Sequence, residues 1–141
     1  DAAPAFAQKW RSHREIDKAL KLVAKGDPKA RETYVKSLEK FAERILTDDE
    51  LAEFRQSSQP ANFLARRFAA KEAAAKAMGT GFSDGLHLRH ISVGHDAHGK
   101  PLLEFSGRAL EFVREKGITM VHVSLADEED NAVAFVTLET A

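Results

Sequence analysis

The chain has 141 residues, 43% of them hydrophobic and 30% charged, the size and make-up of one ordinary soluble globular domain. No apolar run approaches the roughly 18 residues of a membrane span. The absence of cysteine excludes a disulfide framework and a thiolate metal site, and it suits the cytoplasm.

The net charge of −1 is unevenly spread: residues 1–80 hold 16 Lys and Arg against 12 Asp and Glu, and residues 81–141 hold 5 against 10. The basic first part favours an acidic partner or a phosphorylated ligand. Nucleic acid is the weaker reading, because no patch joins dense Lys and Arg to exposed aromatics.

The opening D-A-A-P-A-F-A-Q lacks the apolar core and basic leader of a targeting peptide, and a first residue of Asp rather than Met suggests processing. Residues 1–10 are expected as a loose arm anchored by Trp10. Ile16, Ala19, Leu20 and Val23 recur at helical spacing between about Glu15 and Ala24, until Gly26-Asp27-Pro28 breaks the pattern. A second helix follows with Tyr34, Val35, Leu38, Phe41, Ala42 and Ile45 on its apolar side. Thr47-Asp48-Asp49-Glu50 is a capping box that starts a short helix. A long alanine-rich helix then runs from about Ala61 to Met78, and Gly79 stops it.

Beyond Gly81 the period changes. Leu86 to Val93 reads as a strand of mixed alternation, 95–100 as a turn and Pro101 to Phe105 as the returning strand. Ser106 to Gly117 brackets a helix, Ile118 to Leu125 is a strand, and 127–131 is a polar turn. Ala132 to Leu138, almost continuously apolar, is expected at the centre of its sheet. Helices first and paired strands later argue for an α+β class with an antiparallel sheet.

Four groups of residues could carry chemistry. Leu64, Phe68, Glu72 and Lys76 form one helical row that begins apolar and ends in a carboxylate and an amine. The plain reading is a solvated pair worth about 0.2–0.5 kcal/mol; a metal ion is the other partner Glu72 could have. His95 and His98 are read as solvated turn residues, since a zinc site would need further ligands and only Asp96 stands near. His122 and Ser124 share one face of a strand, where they could bind phosphate or shuttle a proton, or simply form a satisfied structural pair. Gly79-Thr80-Gly81 follows a helix rather than opening one, so it is no nucleotide-binding loop, though its backbone could approach a ligand closely. A serine-hydrolase reading fails for want of a nucleophile elbow.

These pieces occur in a telling order. Phe41-Ala42-Glu43-Arg44-Ile45-Leu46-Thr47 leads into Glu50-Leu51 and Phe54, then Phe63-Leu64-Ala65-Arg66-Arg67-Phe68-Ala69-Ala70-Lys71-Glu72-Ala73-Ala74-Ala75-Lys76-Ala77 and Gly79-Thr80-Gly81. Gly99-Lys100-Pro101 and His122-Val123-Ser124-Leu125-Ala126-Asp127 follow. Over residues 41–139 the chain resembles the holo-acyl-carrier-protein synthases, the small trimeric type of 4′-phosphopantetheinyl transferase. The resemblance implies one transferase-like domain over 1–141, its antiparallel sheet packed on a long central helix, with residues 1–40 an atypical helical segment.

It also implies a Mg²⁺-dependent reaction of fatty-acid biosynthesis, in which coenzyme A gives its phosphopantetheine group to a serine of apo acyl carrier protein. By motif, Glu72 would ligate the metal and Lys76 would contact the phosphates and assist proton transfer. Arg67 and Lys71 would be candidates for phosphate contact, Gly79 would lie along the bound cofactor, and His122 and Ser124 near its 3′-phosphate. The family's small members are homotrimers with sites between subunits, and the basic helices of residues 11–44 would receive the acidic carrier protein. No nucleic acid or membrane partner is implied.

The chain departs from the family at its start. The family's first strand ends in Gly-Thr-Asp-Ile-Val-Glu-Ile, whose Asp is a second metal ligand. The best match here is Trp10-Arg11-Ser12-His13-Arg14-Glu15-Ile16, which puts Ser12 in its place. Glu15 or Asp17 could substitute, the segment could be displaced, or the chain could be impaired. The competing expectations are therefore a non-catalytic protein of the same fold that binds coenzyme A or carrier protein, and a helical interaction module formed by residues 1–46.

Overall fold

The computed structural model describes residues 3–10, 28–83, 85–127 and 132–141. Strand β1 (Ala3–Trp10) is followed by helices α1 (Pro28–Ile45), α2 (Asp48–Gln56) and α3 (Pro60–Met78). A 3₁₀ turn (Leu88–His90) then leads into β2 (Ile91–His95), β3 (Pro101–Phe105), α4 (Gly107–Glu115), β4 (Ile118–Asp127) and β5 (Ala132–Thr140). The class is α+β, as the order of elements predicts.

The strands form two antiparallel sheets rather than one: a three-stranded sheet in the order β1-β5-β4 and the hairpin β2-β3. Strand β5 takes the central place its apolar run predicts. The expected loose arm over 1–10 is corrected, because Ala3–Trp10 is a strand paired with β5, Phe6 opposite Val136 and Trp10 opposite Ala132. A central strand offers backbone donors and acceptors on both edges, and the first segment satisfies the edge that β4 leaves open. That demand comes from a partner more than 120 residues away, so no local pattern announces it. The helix expected over 15–24, and with it Ser12, Glu15 and Asp17, lies outside the described residues.

Helix α3 is the beam of the molecule. Thirteen of its 19 residues are buried, among them every one of its alanines, so neighbours close on it from several sides. Its C-terminal half packs with Ile91, Val93, Ala109, Phe112, Ala134, Val136 and Leu138. Its N-terminal half joins Leu38, Ala42, Ile45, Leu46 and Phe54 of the helical layer. Gly79, at φ 80° with its N–H on the carbonyl of Lys76, ends the helix in the left-handed conformation expected of it. Of the apolar side predicted for α1, Leu38, Ala42 and Ile45 are buried, whereas Val35 is 53% exposed.

The strand expected from Leu86 begins only at Ile91, because Leu88–His90 turns as 3₁₀. His90 sits in a notch that only glycine permits. Gly107 has φ +52°, and a β-carbon there would lie 2.7 Å from the His90 ring. Gly107→Ala is therefore expected to lose about 1–3 kcal/mol of stability, from left-handed strain and overpacking together. A urea midpoint unchanged from the parent would contradict this.

Candidate functional site

The row Leu64, Phe68, Glu72, Lys76 climbs from core to surface along α3. Leu64 is buried, Phe68 and Glu72 are half-buried, and Lys76 is exposed. Phe68 is held by Phe41 of α1, ring centroids 5.7 Å apart. Glu72 thus stands on a rigid helix at the edge of water, one turn before Lys76 and two turns before the left-handed Gly79. Gly81 follows, its N–H on the carbonyl of Ala75. The arrangement offers a carboxylate, an amine and glycine-rich backbone in one neighbourhood.

His122 and Ser124 do not join that group within one chain. Val121 and Val123 face the core, and Ala134, Val136 and Leu138 of β5 are buried on the same side as α3. His122, opposite Thr137, and Ser124, opposite Phe135, project from the other face of the sheet. Both are exposed, and His122 Nε2 lies 3.7 Å from Glu139 Oε1. Met120 and Phe135, 52% and 47% exposed, leave this outer face partly apolar.

Arg67 and Lys71 both belong to the interior of the chain. Lys71 is fully buried. Its ammonium donates to Glu50 Oε1 at 2.7 Å, to the carbonyl of Leu88 at 3.1 Å and to the carbonyl of Ile91, which uses all three donors. Arg67 is 4% exposed, donates from Nη2 to Glu53 Oε2 at 3.1 Å and lies over the Phe63 ring at 4.4 Å. Burial pushes the pKa of each below its ordinary value, and Glu50 opposes that shift in both.

Glu50 is what the sequence reading undervalued. As the third residue of α2 it completes the capping box, Oε1 accepting the Thr47 N–H at 2.9 Å. It is also 1% exposed, and Oε2 accepts the Val93 N–H at 3.0 Å. One carboxylate thereby ties α2, α3 and β2 together. A signal for it was present in Lys71, which stands among Ala69, Ala70, Ala73, Ala74 and Ala75; a cation in so apolar a stretch requires a partner if it is buried.

At the β2-β3 turn, Asp96 Oδ1 accepts the N–H groups of His98 and Lys100 at 2.8 and 2.9 Å. These bonds hold its pKa below the ordinary carboxylate value. His95 and His98 are exposed turn residues, as expected. No three His, Asp or Glu side chains among the described residues converge on a metal position. No helix among them is long and apolar enough to cross a membrane.

The family model described as the 4′-phosphopantetheinyl transferase superfamily matches residues 28–136. The chain is 60% identical over 100 residues to a holo-[acyl-carrier-protein] synthase of Nitrosococcus oceani, covering 71% of this chain and 65% of that protein. It is 55% identical over 102 residues to one of Halorhodospira halophila, covering 72% and 81%. Among solved structures, the synthase of Neisseria meningitidis is similar with a TM-score of 0.77 at 38% identity, covering 99% of this chain and all of that one. The synthase of Bacillus anthracis, in complex with coenzyme A (3′,5′-ADP), is similar with a TM-score of 0.69 at 30% identity, covering 99% and 98%.

Proposed function

We propose, because the chain belongs to the 4′-phosphopantetheinyl transferase superfamily, that it is a holo-acyl-carrier-protein synthase. It moves the phosphopantetheine group of coenzyme A onto a serine of apo acyl carrier protein, in cytoplasmic fatty-acid biosynthesis. The whole chain acts as one domain. The observation that carries the reading is the half-buried Glu72 with exposed Lys76 one turn on, placed on the most rigid element of the fold.

Glu72 is the one acidic donor on that stretch of α3. Mg²⁺ is ordinarily held by one or two carboxylates together with substrate phosphates and water. Glu72 and a coenzyme A pyrophosphate make a fitting donor set, with Glu15 or Asp17 as the second carboxylate. Bound there, Mg²⁺ would neutralise charge on the pyrophosphate.

The carrier serine oxygen forms a bond to the β-phosphorus as the bond to the bridging oxygen breaks, and adenosine 3′,5′-bisphosphate leaves. Lys76 brings a cation to the phosphoryl oxygens and takes part in moving the serine proton. The Gly79–Gly81 backbone, with both glycines at positive φ, allows close approach of the cofactor.

His122 and Ser124 hold the 3′-phosphate. They lie on the opposite face of the sheet from α3, so a complete site needs a second chain, and a homotrimer brings the outer face of one subunit to the α3 of the next. The exposed Met120 and Phe135 beside them support that contact. The basic face of α1, with Lys29, Lys36, Lys40 and Arg44, receives the acidic carrier protein.

Release of adenosine 3′,5′-bisphosphate, followed by chromatography, tests the reading. It is expected only when coenzyme A, Mg²⁺ and apo carrier protein are all present. Coenzyme A binding without release under those conditions would leave a non-catalytic binder.

A further inference from the structure

A second polar cleft, of about 550 Å³, opens where α1 meets α2 and the 3₁₀ turn. It is lined by Arg44, Thr47, Asp48, His87, Arg89 and His90. It shares no residue with Glu72, Lys76, Gly79, His122 or Ser124, and Arg44 is its one residue on the proposed carrier-protein face of α1. Its volume falls in the range of small-ligand sites. Two guanidiniums and two imidazoles face a single carboxylate across it.

The cations are held from below, with donors left over. Arg89 Nε donates to the Leu46 carbonyl at 2.9 Å, fixing the guanidinium over the α1–α2 junction. Its Nη2 donates to Asp48 Oδ1 at 3.0 Å, and Nη1 remains to serve a ligand. Asp48 is 94% exposed, so its pairing with Arg89 is weak and yields to a stronger anion. Arg44, exposed at the end of α1, has no ion pair among the described residues.

The two histidines form a built pair. The His87 N–H donates to His90 Nδ1 at 3.1 Å, their rings lie 5.1 Å apart, and the Gly107 notch holds the His90 ring in place. We infer that this cleft is a binding site for a small tetrahedral dianion of the phosphate class, gripped by Arg44 and Arg89 beside the histidine pair. Guanidinium forks match such oxygens in charge and geometry.

Burial, and then the neighbouring His87, hold His90 below its ordinary pKa, while Glu111 of α4 opposes them. That direction agrees with a neutral His90 whose Nδ1 accepts from the His87 N–H.

The full chain would be titrated with sulfate at fixed ionic strength with chloride. The ring resonances of His87 and His90, which line the cleft, are followed by NMR at pH 7. Saturable shifts of both residues are expected, with affinity falling about tenfold or more in Arg44→Gln, since hydrogen bonds to charged groups are among the strong ones. Arg89→Gln serves as the second variant and is expected to lose at least as much. Linear shifts without saturation, or affinity unchanged in Arg44→Gln, would each overturn the inference. Coenzyme A added to saturation is expected to leave sulfate bound; displacement would overturn the independence of the cleft from the transfer site.

Discussion

Replacing Lys71 with methionine is expected to destabilise the fold by about 3–5 kcal/mol, the usual cost of stranding one member of a buried ion pair. Glu50 would be left 1% exposed, its one remaining ion pair among the described residues being with Arg67 Nε at 3.9 Å. The carbonyls of Leu88 and Ile91 would lose a donor at the same time. Against a total stability of about 5–15 kcal/mol for an ordinary domain, this is a large share. The melting temperature should fall by roughly 10 °C or more.

Glu50→Gln made in the same chain should recover part of the loss, because the stranded charge is gone while a carbonyl oxygen remains to accept from backbone. A non-additive recovery of about 1 kcal/mol or more is expected for side chains in direct contact. If the single variant melts with the parent, Lys71 is not the buried tie described here.

Glu72→Gln is the opposite case. The side chain is half-buried and stands at the edge of the core, so stability should change by no more than about 1 kcal/mol. Mg²⁺-dependent transfer should fall by roughly 10²–10³-fold or more, as for removal of one group that stabilises transition-state charge. A large drop in melting temperature, with the activity of the remaining folded protein intact, would make Glu72 a structural residue instead. Lys71 and Glu72 are adjacent in sequence, and the two variants together separate what holds the helix from what the helix presents.

The sequence made α3, its glycine stop and the capping box of Thr47 and Glu50 legible, because helix propensity, left-handed glycine and local capping are all short-range. It also placed β5 at the sheet centre from an almost continuously apolar run, although its burial alternates and Phe135 is exposed on the outer face. It failed at β1, whose place is set by the open edge of β5 rather than by its own residues. The same limit applied to the burial of Lys71, whose partners, Glu50 and the carbonyls of Leu88 and Ile91, come from other parts of the chain. His122 and Ser124 were placed on the correct strand face, but not on the side of the sheet away from Glu72, which needs the register of β4 on β5.

The central claim is transfer, and the intact mass of apo acyl carrier protein measures it most directly. Incubated with this protein, coenzyme A and Mg²⁺, the carrier is expected to gain the mass of one phosphopantetheine group at its serine, and to gain nothing when Mg²⁺ is chelated. A carrier left at its starting mass, under conditions in which a control transferase modifies it fully, would contradict the account.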